Sequence, residues 1–252
     1  MVDYNVAYFM FSPRLIERLT HAQSVAVLTG AGMSAESGIA TFRDPGGLWA
    51  TMRPEELASM DAFLANPELV QGWYRHRREI VEDAQPNPGH LALARLEAIV
   101  DDFTVVTQNV DDLHHQAGSQ NVIELHGNLT RNYCASCRRP AEDAELSIGH
   151  CPDCGGLIRP DVVWFGEMLP EGAFEAGLQA AVSADVFLSI GTSAVVYPAA
   201  GLPLAAADAG VYCVEFNVQR SAIADRMDEV VLGPSGETLP KLVEMVGAGR
   251  GW

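Results

Sequence analysis

The sequence predicts an α/β fold in which a Rossmann-like, doubly wound parallel sheet carries a small cysteine-rich module and a helical insertion. Short apolar runs that end in small or polar residues recur along the chain, which is typical of buried parallel strands flanked by helices. Two Cys-x-x-Cys pairs interrupt this series of runs. In folds with a parallel sheet of this kind, ligands bind at the carboxyl ends of the strands. The runs are SVAVLTGAG (24–32), FTVVTQNVD (103–111), ADVFLSIGTS (184–193) and GVYCVEFN (210–217).

The two interruptions divide the chain into three units. The cysteine pairs fall between the second and the third apolar run, so they belong to an inserted module. The Pro/Gly/Asn-rich segment QPNPGH closes a second insertion, which is predicted to be helical. The predicted units are a Rossmann-like main domain of residues 1–41, 91–130 and 159–252, a helical insertion of residues 42–90, and a cysteine module of residues 131–158.

Composition and charge narrow the class of function. The chain has 252 residues, and 48% of them are hydrophobic, which suffices for a sizeable core. The net charge of -17 argues against a nucleic-acid footprint, which needs a basic face, but it would attract Lys-rich protein segments. The apolar patch VAYFMF near the start is too short for a signal peptide or a membrane span. We expect a cytoplasmic protein that binds neither nucleic acid nor a membrane, and we assume a monomer.

Four of the five cysteines form the pairs CASC and CPDC, with thirteen residues, 138–150, between them. This spacing suits a tetrahedral zinc site of four thiolates, in which each pair forms a tight knuckle. Two disulfides or a redox dithiol are the alternatives; the first fits poorly without a secretory signal, and two matched pairs fit the second badly. His150 is predicted to be a bystander. The predicted ligands of one structural Zn²⁺ are Cys134, Cys137, Cys151 and Cys154.

The glycine turn GAGMSAESG (30–38) matches the dinucleotide fingerprint G-x-G-x-x-A at Gly30, Gly32 and Ala35. A hydride-transfer enzyme would next need a long helix, a second strand and an acidic residue about 20 positions on. Position 50 is Ala, and SGIATFRDPGG breaks any helix before it. The turn can still hold a pyrophosphate at exposed backbone amides, and a glycine turn without any ligand is the alternative.

A set of motifs in a fixed order points to one family. They are GAGMSAESGIATFRD, TQNVDDLH, ELHGN, the two cysteine pairs, VVWFGE, GTSAVVYPAA and EFN. Together, over about residues 24 to 220, they resemble the sirtuins, the NAD-dependent protein lysine deacylases. Ala40 stands where that family usually has Pro, and Asp112 stands where Gly is common; neither change removes a chemical group that the reaction needs.

The resemblance implies that NAD, as cosubstrate, lies across the strand ends of the main domain. Asn217 would lie near the adenosine ribose, and Asp111 or Ile39 would hold the carboxamide. Arg43 would brace the reacting pocket, while Phe42 would shield the activated sugar from water. The implied NAD-binding residues are Gly30, Ala31, Gly32, Ser34, Phe42, Arg43, Gln108, Asn109, Asp111, Gly191, Thr192, Ser193 and Asn217.

His126, in ELHGN, is the predicted general base, because a histidine can take a proton from a ribose hydroxyl near neutral pH and return it. A packed or surface histidine is the alternative. The resemblance adds Asn109, Asp111 and Arg43 to the catalytic residues. In the implied reaction, the carbonyl oxygen of an acylated lysine side chain attacks the anomeric carbon of NAD and expels nicotinamide. A ribose hydroxyl and then water complete the transfer, giving free lysine and O-acyl-ADP-ribose.

The segment VVWFGE (162–167) alternates its side chains as an extended chain does, so a substrate peptide could pair with it as an added strand. Recognition would then depend mostly on the main chain and tolerate many peptide sequences. The predicted substrate-binding residues in this segment are Val163, Trp164, Phe165, Gly166 and Glu167.

The segment NPELVQGWYRHRREIVED begins like a helix, with Asn66 as the cap and Pro67 in the first turn. One apolar stripe runs along this helix, with Arg77 near its centre and Tyr74 one turn earlier. We predict that Arg75, Arg78 and Glu79 face solvent. The predicted stripe consists of Val70, Trp73, Tyr74, Arg77, Ile80 and Val81.

An arginine on an apolar stripe often extends its head to solvent or pairs with a core carboxylate. Tyr74 and Arg77, however, form a Tyr-x-x-Arg pair that resembles the signature of the sirtuins that remove succinyl and malonyl groups. In that subgroup the Arg binds the acyl carboxylate through a forked contact and the Tyr adds a hydroxyl. Two other functions remain open: mono-ADP-ribosyl transfer to proteins on the same fold, and a zinc-ribbon binding module without catalysis.

Overall fold

The backbone forms two β-sheets in the part of the chain that the computed structural model describes, residues 10–41, 56–142, 145–146 and 149–252. The strands are β1 (Ser24–Thr29), β2 (Asp102–Thr107), β3 (Val122–Glu124), β4 (Gly127–Cys134), β5 (Pro140–Ala141), β6 (Ile158–Val162), β7 (Val186–Ile190), β8 (Tyr212–Asn217) and β9 (Glu229–Leu232).

The larger sheet is parallel and doubly wound. Its strand order is β3-β2-β1-β7-β8-β9, and every neighbouring pair in it is parallel. From β1 the chain moves outward through β2 and β3, and from β7 it moves outward in the other direction through β8 and β9. The order reverses between β1 and β7, and a crevice opens there at the carboxyl ends of the strands. The four apolar runs form β1, β2, β7 and β8, so the predicted fold class is confirmed.

Helices cover this sheet and build the insertion. None of them, among the described residues, combines the length and the apolar character needed to cross a bilayer. The helices are α1 (Pro13–His21), α2 (Met60–Ala65), α3 (Pro67–Asp83), α4 (Pro88–Glu97), α5 (Leu113–Gln116), α6 (Ala173–Ser183), α7 (Gly201–Asp208) and α8 (Ser235–Arg250).

Two hydrophobic cores lie on opposite faces of the large sheet. Along β1 the side chains alternate, so Val25 and Val27 join one core while Ala26 and Leu28 join the other. The first core includes side chains of α1, α4 and α8, and the second includes side chains of α6 and α7. Because both faces are buried, the strands read as continuous apolar runs, which is the pattern that predicted them.

The smaller sheet is antiparallel, in the order β5-β4-β6, and supports the helical insertion. The β4–β6 ladder runs from the Gly127–Val162 pair to the Cys134–Ile158 pair. Helix α3 packs against this sheet in a third core, which contains Val70, Tyr74, Val81, Leu129 and Trp164. The small sheet therefore connects the cysteine pairs to the inner face of α3. The division of the chain into three units stays a prediction.

Helix α3 begins as predicted, because the Asn66 side chain accepts a hydrogen bond from Leu69 N at 3.2 Å and Pro67 opens the first turn. The predicted position of Arg78 at the surface is wrong. Arg78 is buried, and it donates hydrogen bonds to the Thr130 carbonyl oxygen at 3.2 Å and to Asn132 Oδ1 at 2.6 Å. Strand β4 covers this second side of the helix, and an apolar stripe cannot reveal a polar surface that becomes buried.

Ile80 was predicted to belong to the apolar stripe, and its exposure shows that the other edge of the stripe is not buried. Its side chain is 39% exposed, whereas Arg77, three residues earlier, is buried. The buried face of α3 is therefore rotated relative to the apolar stripe, toward the side that carries Arg78. Arg75 and Glu79 lie at the surface as predicted.

Candidate active site

A cavity of about 900 Å³ opens at the carboxyl ends of β1, β2, β7 and β8 and extends to the inner face of α3. Each of these strands contributes its last residue or the loop that follows it. Predicted residues in its wall are Gly30, Ala31, Gly32, Tyr74, Arg77, Gln108, Asn109, His126, Val163, Trp164, Phe165, Gly166, Glu167, Gly191, Thr192, Ser193 and Asn217.

The floor of the cavity depends on a contact between two turns that only glycine permits. Gly32 N donates to the Gly191 carbonyl oxygen at 2.8 Å, and a Cβ on Gly32 would lie 2.8 Å from that same oxygen. Gly191 has φ +59°, and a Cβ there would approach Met33 N to 2.4 Å. The turns after β1 and β7 can therefore meet backbone to backbone, which leaves the space above them open to a ligand.

A chain of hydrogen bonds fixes the polar side of the cavity. The Asn109 amide donates to the Gly30 carbonyl oxygen at 3.0 Å and to Ser34 Oγ at 3.1 Å. Ser34 Oγ in turn donates to Asp111 Oδ2 at 2.6 Å. Burial raises the pKa of the Asp111 carboxyl, while the bonds from Ser34 and from the Leu113 backbone oppose that rise. Ser34 and Asp111 lie buried behind Asn109, so they position Asn109 from behind the wall.

His126 has one ring nitrogen committed to the backbone. Its Nδ1 lies 3.0 Å from the Gln108 carbonyl oxygen, which can only accept, so Nδ1 carries the hydrogen. The neutral ring then has its acceptor at Nε2. Burial lowers the pKa of His126 below its ordinary value, and the bond to Gln108 only partly offsets this. Near neutral pH, His126 is therefore an uncharged base in the cavity wall.

His114, Thr29 and Thr107 have no predicted role, and the structure joins them through hydrogen bonds. Thr29 and Thr107 face each other on β1 and β2, and their hydroxyls are 2.8 Å apart. Thr29 Oγ1 also lies 2.9 Å from His114 Nε2, and Thr107 Oγ1 accepts a bond from Asn109 N at 3.0 Å. Burial, followed by the charges of His90 and His115, lowers the pKa of His114 to about 3, so the ring is neutral. In the sequence, the one feature that could have indicated this link is the threonine at the end of each of the two apolar runs.

The far end of the cavity is formed by Trp164, Tyr74 and Arg77. Trp164 Nε1 donates to the Tyr74 hydroxyl at 2.8 Å, and both side chains are buried. The Arg77 guanidinium lies 5.0 Å from the centre of the Trp73 ring, within cation–π range. Burial lowers the pKa of Arg77, whereas Tyr74 and Asp111 raise it. Because an arginine stays protonated in proteins, this end of the largely apolar pocket carries a cation. Phe42 and Arg43 lie outside the described residues.

The four paired cysteines converge into a separate cluster. Their sulfur atoms all lie within 4.8 Å of one another, with Cys134 and Cys154 at 3.5 Å and Cys137 and Cys151 at 3.9 Å. A disulfide needs about 2.05 Å between its sulfur atoms, so the cysteines are free thiols. Four sulfurs at about 2.3 Å from one Zn²⁺ would lie roughly 3.8 Å apart, and this donor set fits that ion. His150 Nδ1 lies 3.1 Å from the Gly155 carbonyl oxygen, in keeping with a bystander.

Comparison with known proteins decides the family. A model of the Sir2 family matches residues 30–198. The NAD-dependent protein deacylase 2 of Pyrobaculum aerophilum is 50% identical over 234 residues, which are 90% of this chain and 93% of that protein. The chain belongs to the Sir2 family. The resemblance that its motifs predict is thereby confirmed at the level of the family.

Solved structures agree with the fold of this Sir2 chain. A crystal structure of a Sir2 homolog–NAD complex is 43% identical to it, with a TM-score of 0.90 and 95% of each chain covered. A structure of Sir2 with a p53 peptide and NAD+ is 32% identical, with a TM-score of 0.86, and covers 95% of this Sir2 chain and 100% of that chain. The parallel sheet with its inserted modules is therefore a Sir2 fold.

Proposed function

We propose that this Sir2 chain is an NAD-dependent protein lysine deacylase that removes succinyl and malonyl groups as well as acetyl groups. One observation carries the proposal: a single cavity is lined at the strand ends by His126 and Asn109, and at the helical insertion by Tyr74 and Arg77. The first pair suits a reaction at a ribose, and the second suits a carboxylate at the far end of an acyl chain.

A dinucleotide fits the chemistry of the strand-end side. The open backbone of the turn at Gly30 and Gly32, with the hydroxyls of Thr192 and Ser193, offers donors to phosphates. The amides of Gln108 and Asn109 suit the hydroxyls of the reacting ribose, and Asn217 suits those of the other ribose. When bound, NAD would supply both the activated ribose carbon that the acyl carbonyl oxygen attacks and the ribose hydroxyl that receives the acyl group. Asp111 and Ser34 act by holding Asn109 in place.

His126 is the base in this proposal. Its Nδ1–H is held on the Gln108 carbonyl oxygen, so Nε2 takes the proton from a ribose hydroxyl and later returns it. A substrate peptide lies along Val163 to Glu167 as an added strand, with the acylated lysine side chain entering the cavity beside Trp164. Cys134, Cys137, Cys151 and Cys154 would hold a structural Zn²⁺ that ties the small sheet together. Such a closed four-thiolate site would leave no position for substrate and would take no part in the chemistry.

The acyl preference is assigned to Arg77 and Tyr74. A guanidinium offers two parallel donors, which match the two oxygens of a succinyl or malonyl carboxylate. The pocket around Arg77 is largely apolar, so a carboxylate there has few other polar partners. An acetyl group has no carboxylate and cannot use this contact, so it reacts as the weaker substrate.

The test measures nicotinamide release with one peptide that carries an acetyl, a succinyl or no group on its lysine, for the wild type and Arg77→Met. We expect the succinyl-to-acetyl ratio of kcat/KM to fall by about 10- to 100-fold, since a hydrogen bond to a charged group contributes roughly 1.5–3 kcal/mol. Arg75→Met, an exposed change on the same helix, is the matched control and leaves the ratio unchanged. An acetyl preference in the wild type that Arg77→Met does not alter contradicts the acyl assignment.

The same assay separates the other two functions. Label from NAD that ends on the protein, rather than on released O-acyl-ADP-ribose, would indicate mono-ADP-ribosyl transfer. No nicotinamide release with any acylated peptide would indicate a binding module. Under the proposal, release depends on the acylated lysine, and His126→Ala reduces it strongly with both acyl groups.

A further inference from the structure

Two buried side chains of the acyl end are joined by one hydrogen bond. The Trp164 indole N–H donates to the Tyr74 hydroxyl oxygen over 2.8 Å, and the two side chains are 1% and 2% exposed. Indole nitrogen can only donate, so the direction of this bond is fixed. Trp164 is therefore not only an apolar wall of the lysine slot, because its N–H also binds a lone pair of the Tyr74 hydroxyl oxygen.

The hydroxyl hydrogen of Tyr74 is left for another acceptor. Within the described residues, the Trp164 N–H is the one hydrogen-bond partner of this hydroxyl. Burial raises the pKa of Tyr74 to about 12, with the Arg77 charge and the Trp164 bond opposing the rise, so the hydrogen stays on the oxygen at any working pH. A hydroxyl whose oxygen already accepts a bond is also a stronger donor, because the two bonds polarise each other. Tyr74 lines the cavity, where an acyl group would lie.

Trp164 itself is held in one orientation. The Arg159 guanidinium carbon lies 3.4 Å from the centre of the Trp164 ring, and Arg159 is 1% exposed. Arg159 bonds both oxygens of the Glu167 carboxylate, with Nη2 to Oε2 at 2.9 Å, and that Oε2 also accepts from Trp164 N at 2.8 Å. Burial would raise the pKa of Glu167, but the bonds from Arg159 and Trp164 hold it below its ordinary value. The ionised carboxylate thus fixes the tryptophan at its backbone, while the guanidinium packs on its ring.

We propose that Trp164 is a specificity-determining residue for dicarboxylic acyl groups: its indole N–H orients the Tyr74 hydroxyl so that the O–H donates to the acyl carboxylate beside Arg77. Arg159 and Glu167 are positioning residues that hold Trp164 for this purpose. This inference rests on the proposed succinyl and malonyl activity. It explains how the second donor of the carboxylate site, the Tyr74 hydroxyl, is oriented, and it assigns that orientation to a residue that does not itself touch the carboxylate.

The selectivity follows from what the acyl group can accept. A succinyl or malonyl carboxylate receives the oriented O–H of Tyr74 in addition to the Arg77 contact, and such charge-assisted bonds are strong. An acetyl methyl group accepts nothing, so the orientation of the hydroxyl does not affect it. Loss of the indole N–H should consequently act on the difference between the two substrates, and mainly on KM, because the carboxylate lies away from the reacting bonds.

The experiment replaces Trp164 by Phe and measures kcat and KM for matched succinyl- and acetyl-lysine peptides. We expect the succinyl-to-acetyl ratio of kcat/KM to fall about tenfold, through a higher KM for the succinyl peptide, as the loss of a hydrogen bond to a charged group predicts. Trp252→Phe, the same change at an exposed tryptophan, is the matched control and leaves the ratio unchanged. An equal loss for both peptides, or no loss, overturns the proposal.

Two further variants separate the hydrogen bond from ring packing. Replacing Trp164 by 3-benzothienylalanine keeps the two-ring shape and removes only the N–H, so the ratio should fall as in Trp164→Phe, and a ratio that stays at the wild-type value overturns the proposal. Tyr74→Phe should lower the ratio alone, and Tyr74→Phe combined with Trp164→Phe should lower it no further. Fully additive losses would overturn the inference, because the indole would then act without the hydroxyl.

The wild type separates this inference from the function on which it rests. If the wild-type protein does not favour the succinyl peptide, the dicarboxylic function fails, and the role of Trp164 in it fails with it. If the wild type favours the succinyl peptide and Trp164→Phe keeps that preference, only the inference fails. A thermal melt of each variant checks that it is folded.

Discussion

At the scale of single residues, the protonation of His126 controls the proposed reaction. Its ring is neutral because burial lowers the pKa below the ordinary 6.5. The base form therefore persists as the pH falls to that lowered value, and it is lost below it. We expect kcat/KM for the acetyl peptide to be level through neutral pH and to fall with an acid limb below pH 6.5, in a pH profile of nicotinamide release.

Asp111 is the competing source of such a limb, because burial raises the pKa of its carboxyl, so that it takes up a proton at a higher pH than an ordinary aspartate does. The residual activity of His126→Ala distinguishes the two groups. If protonation of His126 causes the acid limb, the pH profile of the residual activity of His126→Ala has no acid limb. A limb that persists in His126→Ala, and that disappears in Asp111→Asn, assigns it to the carboxyl that holds Ser34 and, through it, Asn109.

The sequence could indicate the side chains that line the cavity, but not the buried side chains that hold them in place. Gln108, Asn109 and His126 stand in motifs directly after apolar runs, so their place at the strand ends was predictable. The link from His114 through Thr29 to Thr107 depends on the pairing of β1 with β2, which aligns two threonines across a strand boundary. No local pattern encodes that alignment, and a histidine in a short polar segment reads as surface.

At the scale of elements, helix α3 shows both what local chemistry predicts and where it stops. Its start follows from the Asn66 cap and Pro67, which act within one turn. Its buried faces depend on which neighbours pack against it. Tyr74 and Arg77 face the cavity, whereas Arg78 lies against β4, where backbone carbonyl oxygens accept its hydrogens. Buried arginines with polar partners look like surface arginines in a sequence, so only one of the two was predicted.

The small sheet gives the prediction that belongs to this scale. Cys134 ends β4, and β6 pairs with β4 and leads directly into Val163 and Trp164. Zinc at the four thiolates should therefore stabilise the proposed peptide-binding segment, Val163 to Glu167, as well as the cysteine module. Elemental analysis of the purified protein should find about one zinc per chain. Stripping it with a chelator should lower the melting temperature by several degrees and raise KM for the acyl peptide.

Cys154→Ser should reproduce these effects by removing one ligand. Cys213→Ser is the control, since Cys213 is the fifth cysteine and lies buried in the strand β8, apart from the cluster. It should keep the zinc. A chain that binds no zinc, or a Cys154→Ser variant with an unchanged metal content, would contradict the assignment of the four thiols.

At the scale of the whole molecule, the order of the strands is the part that the sequence leaves open. Continuous apolar runs predict buried parallel strands, and hence the fold class, because both faces of the sheet are covered. That β1 lies between β2 and β7 is a long-range result, made possible by glycines that let the turns after β1 and β7 meet. This neighbour relation creates the cavity. A cytoplasmic location and a monomeric state stay predictions.

The net charge of -17 leads to the last prediction, which concerns how substrates arrive. A strongly negative protein attracts basic segments over a distance that salt shortens, to about 10 Å at 0.1 M and about 3 Å at 1 M ionic strength. With an acetyl-lysine peptide flanked by Lys and Arg, kcat/KM should fall several-fold when NaCl rises from 0.05 to 0.5 M. The same peptide flanked by Asp and Glu should show no fall. Equal salt dependence for both would mean that the charge acts on the protein's own stability or on NAD, because neither of those effects distinguishes the flanking residues.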